Sequence, residues 1–183
     1  MKIYDKNTKE VIYEDDSPRM GKTVQNAIKK GITLNFADLN KVDLPHANLS
    51  NANLRYTDLR EANLYGANLD RADLTEANLN GAYLRNAKLY FATLLGADLS
   101  QANLYGADLY RADLSYAKGI FSIGPIGKHN RIIYAFQYND VIYVQAGCFN
   151  GTLEEFANAV IDEYGDDRAE YDVAIRLINV KFL

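Results

Sequence analysis

Cysteine is almost missing from this 183-residue chain. Cys148 stands alone, which excludes an internal disulfide and any zinc site built from several cysteines. No apolar stretch approaches the ~18 residues that would span a bilayer. The opening Met1-Lys-Ile-Tyr-Asp5 lacks the apolar run of a secretory signal. Charge of one sign is lacking too. The formal net charge is −4, and the three stretches 1–33, 34–117 and 118–183 each mix Lys and Arg with Asp and Glu. No stretch is basic enough to coat a phosphate backbone. These absences predict a protein of a reducing compartment, most simply the cytoplasm, with neither a membrane span nor direct nucleic-acid binding.

What is present is a repeat. Leucine occurs at every fifth position from Leu34 to Leu114, seventeen times without a gap. Alanine sits two residues before each leucine from Leu39 onward, except at Val42 and Thr57. Asp or Asn precedes the leucine in most units, as at Asp38, Asn48, Asn53, Asp73 and Asn103. A period of five scatters leucines around an α-helix. On a flat strand it sends them to alternate faces. A coil that turns a corner every five residues points each leucine and alanine at one axis. Asp and Asn suit such a coil because they tolerate turn conformations and bond the local backbone.

The Ala-(Asp/Asn)-Leu-x-x unit resembles the pentapeptide-repeat family. That resemblance implies a right-handed quadrilateral β-helix, an all-β solenoid with four units per coil. Seventeen units then make about four coils, roughly 20 Å tall at the ~4.8 Å strand spacing. No Gly-Gly-x-Gly-x-Asp calcium pattern occurs, and leucine-rich repeats do not hold a constant spacing of five. Tyr83, Lys88 and Thr93 replace Asp/Asn in three successive units, and Pro45 lacks a backbone donor. These departures mark either a bulge or an altered face.

Both ends read as caps against edge-to-edge association. Residues 1–31 form an N-terminal cap, 32–118 the repeats, and 119–183 a small α/β C-terminal domain. Lys2–Asp5 and Glu10–Glu14 predict a hairpin. Thr23–Lys30 predicts a helix with Thr23 as N-cap, Gly31 as its stop and an apolar stripe of Val24, Ala27 and Ile28. Phe121–Gly127 reads as a Gly/Pro connector, followed by a hairpin of Arg131–Tyr138 and Val141–Ala146 turning at Asn139-Asp140. Thr152-Leu-Glu-Glu155 is a capping box. The apolar face of Leu153, Phe156, Ala157, Val160, Ile161 and Tyr164 follows. A second helix runs from about Asp167 to Val180. The cap helix, Gly124-Pro-Ile-Gly127 and Gly147-Cys-Phe-Asn-Gly-Thr-Leu-Glu-Glu-Phe156 resemble a phage and bacterial group of pentapeptide-repeat proteins whose biochemical role is undefined.

Catalytic signals are sparse. Gly21-Lys22-Thr23 opens a helix after a strand, but Asp16 occupies the position where a phosphate-binding loop needs its first glycine. Gly127-Lys128-His129 fails the same test. Cys148 precedes a helix start, and hairpin pairing would bring His129 near it, the arrangement of a Cys–His nucleophile. The alternative is a buried cysteine at a strand end. His46 stands alone, so neither a metal nor a cofactor is expected.

A surface is more telling. Residues twenty apart stack in columns, which aligns Tyr65, Arg85 and Tyr105. Tyr90 and Tyr110 form the equivalent column on the next face, beside Arg71, Phe91 and Arg111. Aromatic and arginine side chains are enriched at binding hot spots. Equally, stacked tyrosines can stabilise coils from within. The expectation is a non-catalytic protein-binding module or scaffold, phage-encoded by resemblance and acting on a host protein. The alternative is a DNA-mimicking modulator of an enzyme such as a type II topoisomerase, as the quinolone-resistance members of the family imply. Mimicry requires a dominant acidic surface. Arg55, Arg60, Arg71, Arg85, Lys88 and Arg111 interrupt one here. A thiol enzyme centred on Cys148 is a third alternative. Val180, Phe182 and Leu183 are free either to close a core or to form the seam of a homodimer through the C-terminal domain.

Overall fold

A computed structural model describes residues 1–127 and 131–182. The chain divides into two compact units, Met1–Lys118 and Gly119–Leu183.

The first unit is built on pairing between residues twenty apart. Parallel bridges join Asp38 to Asp58, Asp58 to Asn78, Asn78 to Asp98 and Asp98 to Lys118, with equivalent series on the other three faces. Four five-residue units therefore make one coil. The leucines and alanines fill its axis, most of them completely buried. Thr57, one of the two alanine substitutes, is also fully buried. Its hydroxyl donates to the Leu34 carbonyl at 2.8 Å.

Each backbone N–H of the unit has a defined destination. Leucine donates to the Asx-position carbonyl of the next coil, as Leu39 does to Asp58. The second residue after leucine donates to the next coil, as Lys41 does to Arg60. Alanine closes the turn back to the preceding leucine, as Ala62 does to Leu59. The Asx residue donates to the alanine carbonyl one coil earlier, as Asn63 does to Val42. The residue directly after leucine has no main-chain acceptor in this pattern. The Asx side chain supplies one, Oδ1 accepting at 3.0–3.5 Å in eleven units.

The turn conformation itself lies elsewhere than expected. Asp and Asn sit in the bridges. The left-handed residue is the second after leucine, at all seventeen corners from Phe36 to Tyr116, and thirteen of these are not glycine. Positive φ at the third residue of a hydrogen-bonded four-residue turn is the type II arrangement. Pro45 occupies the second position of one such turn, where its fixed φ fits and no main-chain bond is lost. The bridges continue through Tyr83, Lys88 and Thr93 without a change of register. The departures thus mark no bulge, and they fall on three successive faces of one coil rather than on a single altered face.

The N-terminal cap pairs β1 (Lys2–Tyr4) with β2 (Val11–Glu14) and is followed by α1 (Met20–Lys29). Tyr4 accepts the Asp38 N–H at 2.8 Å, and Lys6 donates to Phe36, so the cap continues the ladder on one face. The helix begins three residues earlier than the sequence suggested, with Arg19 at the N-cap. Thr23 is fully buried inside its first turns. Its hydroxyl is drawn to Asp15, 2.8 Å away, rather than to a capping position. Asp15 also accepts from Asn26 Nδ2 and from the Ser17 amide and hydroxyl. Burial alone would push the Asp15 carboxyl up, but the donors from Asn26, Thr23 and Ser17 outweigh it and hold it well below the usual carboxylate range.

The second unit is an antiparallel sheet of β3 (Ile120–Ile126), β4 (Arg131–Tyr138), β5 (Val141–Ala146) and β6 (Phe149–Thr152), in that order. Helices α2 (Leu153–Tyr164) and α3 (Ala169–Phe182) follow. Phe156, Val160, Tyr171, Ala174 and Ile178 of the helices share a core with Ile133, Ala135, Val144 and Ala146 of the sheet. Two strands went unread in the sequence. The Gly/Pro stretch is β3, an edge strand, with Pro125 inside a register shift between Ile123 and Ile126. There its missing N–H breaks no ladder bond. Asn139 and Asp140 both have positive φ, as a two-residue type I′ hairpin requires. Thr152 and Glu155 form the capping box. Gly127-Lys128-His129 and Leu183 reach beyond the described residues.

Two predictions follow from the cap. A Cβ at Gly21 would lie 2.3 Å from the Asp43 carbonyl oxygen of the first coil. Helix propensity alone favours Ala by about 1 kcal/mol. Overpacking of this kind costs about 1–3 kcal/mol. Gly21→Ala is therefore expected to lower the urea midpoint, whereas Lys22→Ala, at an exposed position, leaves it unchanged. The second concerns pH. A carboxyl depressed in the folded state adds stability above its unfolded pKa of about 3.9, lost as pH falls toward the folded value. Asp15→Asn should be less stable than the native chain at pH 7, and the gap should narrow between pH 4 and pH 2. A gap that widens on acidification would refute the assignment.

Candidate interaction surface

The two residues after each leucine face outward at the corners, and every fourth corner stacks. One column holds Ser50, Asp70, Tyr90 and Tyr110, with Asn51, Arg71, Phe91 and Arg111 beside it. The Tyr90 and Tyr110 rings stack at 5.7 Å with planes 6° apart. Phe91 meets Tyr90 edge-on at 4.4 Å. The Arg111 guanidinium lies 5.3 Å from the Phe91 ring and 5.5 Å from that of Tyr110. Tyr110 is 58 % exposed and Phe91 38 %. Arg71 joins the group through its backbone, donating to the Tyr90 carbonyl at 2.9 Å. Among the described residues its guanidinium covers no ring.

The neighbouring column is not one continuous ladder. Arg85 lies over the Tyr105 ring at 5.1 Å. Tyr65 pairs instead with Tyr83, at 6.0 Å and 21°, and meets His46 edge-on at 5.1 Å. Tyr83 entered the sequence reading only as a departure from Asp/Asn. Its spacing of eighteen from Tyr65 falls outside the coil period of twenty, so the periodicity does not signal the contact. A further stack of Phe36 on Tyr56, at 4.8 Å, was also missed, with Arg55 5.8 Å from the Tyr56 ring.

The acidic side chains are largely occupied by the coil and by arginine. Asp58 binds Arg60 through several bonds, the shortest 2.6 Å, and Asp73 binds Arg55 at 3.0 Å. Burial raises both carboxyls. Arg60 counters it at Asp58, and Thr75 with Arg55 at Asp73, leaving each below its ordinary value. Cys148 is exposed in the turn before β6, a whole strand ahead of α2. It is therefore neither the buried cysteine expected nor adjacent to a helix start. His129, its proposed partner, lies outside the described residues. Among the described residues no group of three His, Cys, Asp or Glu is placed to hold a metal ion, and no helix is long and apolar enough to cross a membrane.

The model of the family described as pentapeptide repeats matches residues 32–70, 52–90, 67–106 and 82–118, a run equal to the whole coil. Residues 32–118, just under half of the chain, are repeats of the pentapeptide-repeat family. Right-handed quadrilateral β-helices are the fold of its members, in keeping with the pairing at twenty residues. Similar solved structures include the pentapeptide-repeat protein Rfr23 from the cyanobacterium Cyanothece 51142. It is 37% identical, with 47% of this chain and 55% of that one covered and a TM-score of 0.38. A thylakoid-lumen pentapeptide-repeat protein of Arabidopsis thaliana is 28% identical over 45% of this chain and 56% of its own, with a TM-score of 0.35. The pentapeptide-repeat protein alr5209 from Nostoc Pcc 7120 is 33% identical over 49% and 71%, with a TM-score of 0.29. The chain thus spans little more than half the length of the first two. No curated protein sequence matches it.

In this pentapeptide-repeat coil, Lys88 stands where an Asx side chain would accept the Tyr90 N–H. Asp70 Oδ1, one coil earlier, accepts it at 3.1 Å. Asp70→Ala should therefore cost about 0.5–1.5 kcal/mol. Adding Lys88→Asn, which restores a local acceptor, should recover most of that in chemical denaturation. Failure of the second change to rescue the first would show that this N–H is not what Asp70 serves.

Proposed function

We propose that the chain is a non-catalytic protein-binding module whose coil presents the Tyr90, Phe91, Tyr110 and Arg111 cluster to a partner. The observation that carries this reading is the exposure of a stacked, arginine-flanked aromatic group on a rigid ladder. Aromatic rings held at fixed spacing lose little conformational freedom on docking, and such residues dominate the energetics of protein interfaces. Tyr65, Arg85 and Tyr105 on the adjacent corner, and Arg71 beside the stack, complete the candidate surface. By its resemblance to a phage and bacterial group, the partner would be a host protein.

DNA mimicry has weaker support. A mimic needs phosphate-like charge that is free to face a basic groove. Here Asx oxygens hold backbone amides, and Asp58 and Asp73 are paired with arginine.

Affinity capture from host lysate tests the proposal. Tyr90→Ser with Tyr110→Ser should abolish retention of a partner, leave the thermal midpoint within a few degrees, and do so at both low and high salt. Retention that survives the double change, or that disappears with salt and is competed by duplex DNA, would overturn it.

A further inference from the structure

Most aromatic groups of the first unit share a habit. Tyr13 has Lys30 5.2 Å from its ring, Tyr56 has Arg55, Tyr105 has Arg85, and the Phe91 and Tyr110 pair has Arg111. The Tyr65 and Tyr83 pair is different. Among the described residues no cation of the chain lies over either ring. Arg85 is next to this pair in the coil, yet its guanidinium is turned to Tyr105.

The pair borders a concavity of about 520 Å³ lined by Pro45, Glu61, Asn63, Tyr65 and Tyr83. Glu61 is the one charged residue of that lining. Beneath it, Asn63 Nδ2 donates to Asp43 Oδ1 at 2.7 Å, which adds a second carboxylate nearby. Lys41 approaches Glu61 at 3.4 Å, but both ends of that pair are well exposed and weakly held. Gly81 follows Glu61 in the column, so the residue stacked on it in the next coil brings no side chain.

We infer that this recess receives an arginine side chain of a partner protein, its guanidinium laid on the Tyr65 and Tyr83 rings and forked to Glu61. The chemistry is complementary on both counts. A ring face attracts a cation, and a planar guanidinium can stack and bind a carboxylate at once, which an ammonium does less well. The chain uses the same arginine-on-tyrosine contact internally at Arg85 and Tyr105. The choice of a protein as occupant rests on the proposed binding function. The site itself does not.

The test needs no cellular partner. The ¹⁵N-labelled chain is titrated with acetyl-Gly-Arg-Gly-amide, with the neutral citrulline peptide of the same shape, and with tetramethylammonium, and amide shifts are followed by NMR. The arginine peptide should perturb residues 61–66 and 81–85 saturably, with an affinity on the order of millimolar. The citrulline peptide should not. Glu61→Gln and Tyr83→Asn should each weaken binding about two- to fivefold. Tyr83→Asn restores the residue type usual at that repeat position, so its loss of binding would not reflect a loss of fold. Lys41→Ala, which frees Glu61, should tighten binding. Equal response to citrulline, no saturable shifts, or indifference to Glu61→Gln and Tyr83→Asn would overturn the inference. Stronger binding of tetramethylammonium than of the arginine peptide would likewise overturn it, in favour of a free ammonium ligand. A failed titration leaves the capture result at Tyr90 and Tyr110 standing, and the reverse holds equally.

Discussion

A coil that turns every five residues must bond each amide while forcing one residue per corner into a left-handed conformation that L-amino acids disfavour. Both demands are met in the same short stretch. The left-handed residue gives its N–H to the next coil, so stacking secures the strained corner. The residue before it has no main-chain acceptor, and the Asx carboxylate or amide fills that gap. The Asx column thus satisfies an amide that the turn leaves over, while the turn itself closes equally at Tyr83, Lys88 and Thr93, and acidic charge on these faces is a by-product of hydrogen bonding. Where the column fails at Lys88, the remedy comes from the Asp70 side chain of the coil before it.

Because the axis is filled by leucine and alanine and the ladder is main chain, the two corner residues are left to other purposes. They carry most of the aromatic and arginine side chains of the first unit, in groups that stack at distances of 4.4–6.0 Å. Most of these groups satisfy themselves with an arginine of the same column. The wall between Glu61 and Tyr65 does not, and it is there that a tyrosine replaces the Asx residue.

The period of leucine, unbroken, and of alanine, broken only at Val42 and Thr57, made the coil legible, since the inward-facing positions tolerate the least change. The left-handed corners were not, because that position accepts Phe36, Lys41, Tyr56, Glu76 and Arg111 as readily as glycine. Thr23 had the type and place of a helix cap, but Asp15, eight residues earlier, claims its hydroxyl. Strand β3 was hidden by Gly124 and Pro125, which break a strand inside a sheet but are tolerated at an edge. Of the surface, the stack of Tyr90 on Tyr110 followed from counting by twenty. The contact of Tyr65 with Tyr83 did not, as it joins a corner residue to a wall residue of the next coil.

Pairing at twenty residues also sets the unit in which such a protein can change length. Loss or gain of twenty residues removes or adds one storey and leaves every face in its column. Loss of five preserves the turn chemistry and the buried axis equally well, yet turns everything beyond it by one face. Arg85 would then leave Tyr105, and the Tyr90 stack would move to another wall. Sequence changes that are neutral for the core would therefore divide sharply by length in their effect on the surface, with whole-coil changes altering reach and single-unit changes scrambling recognition.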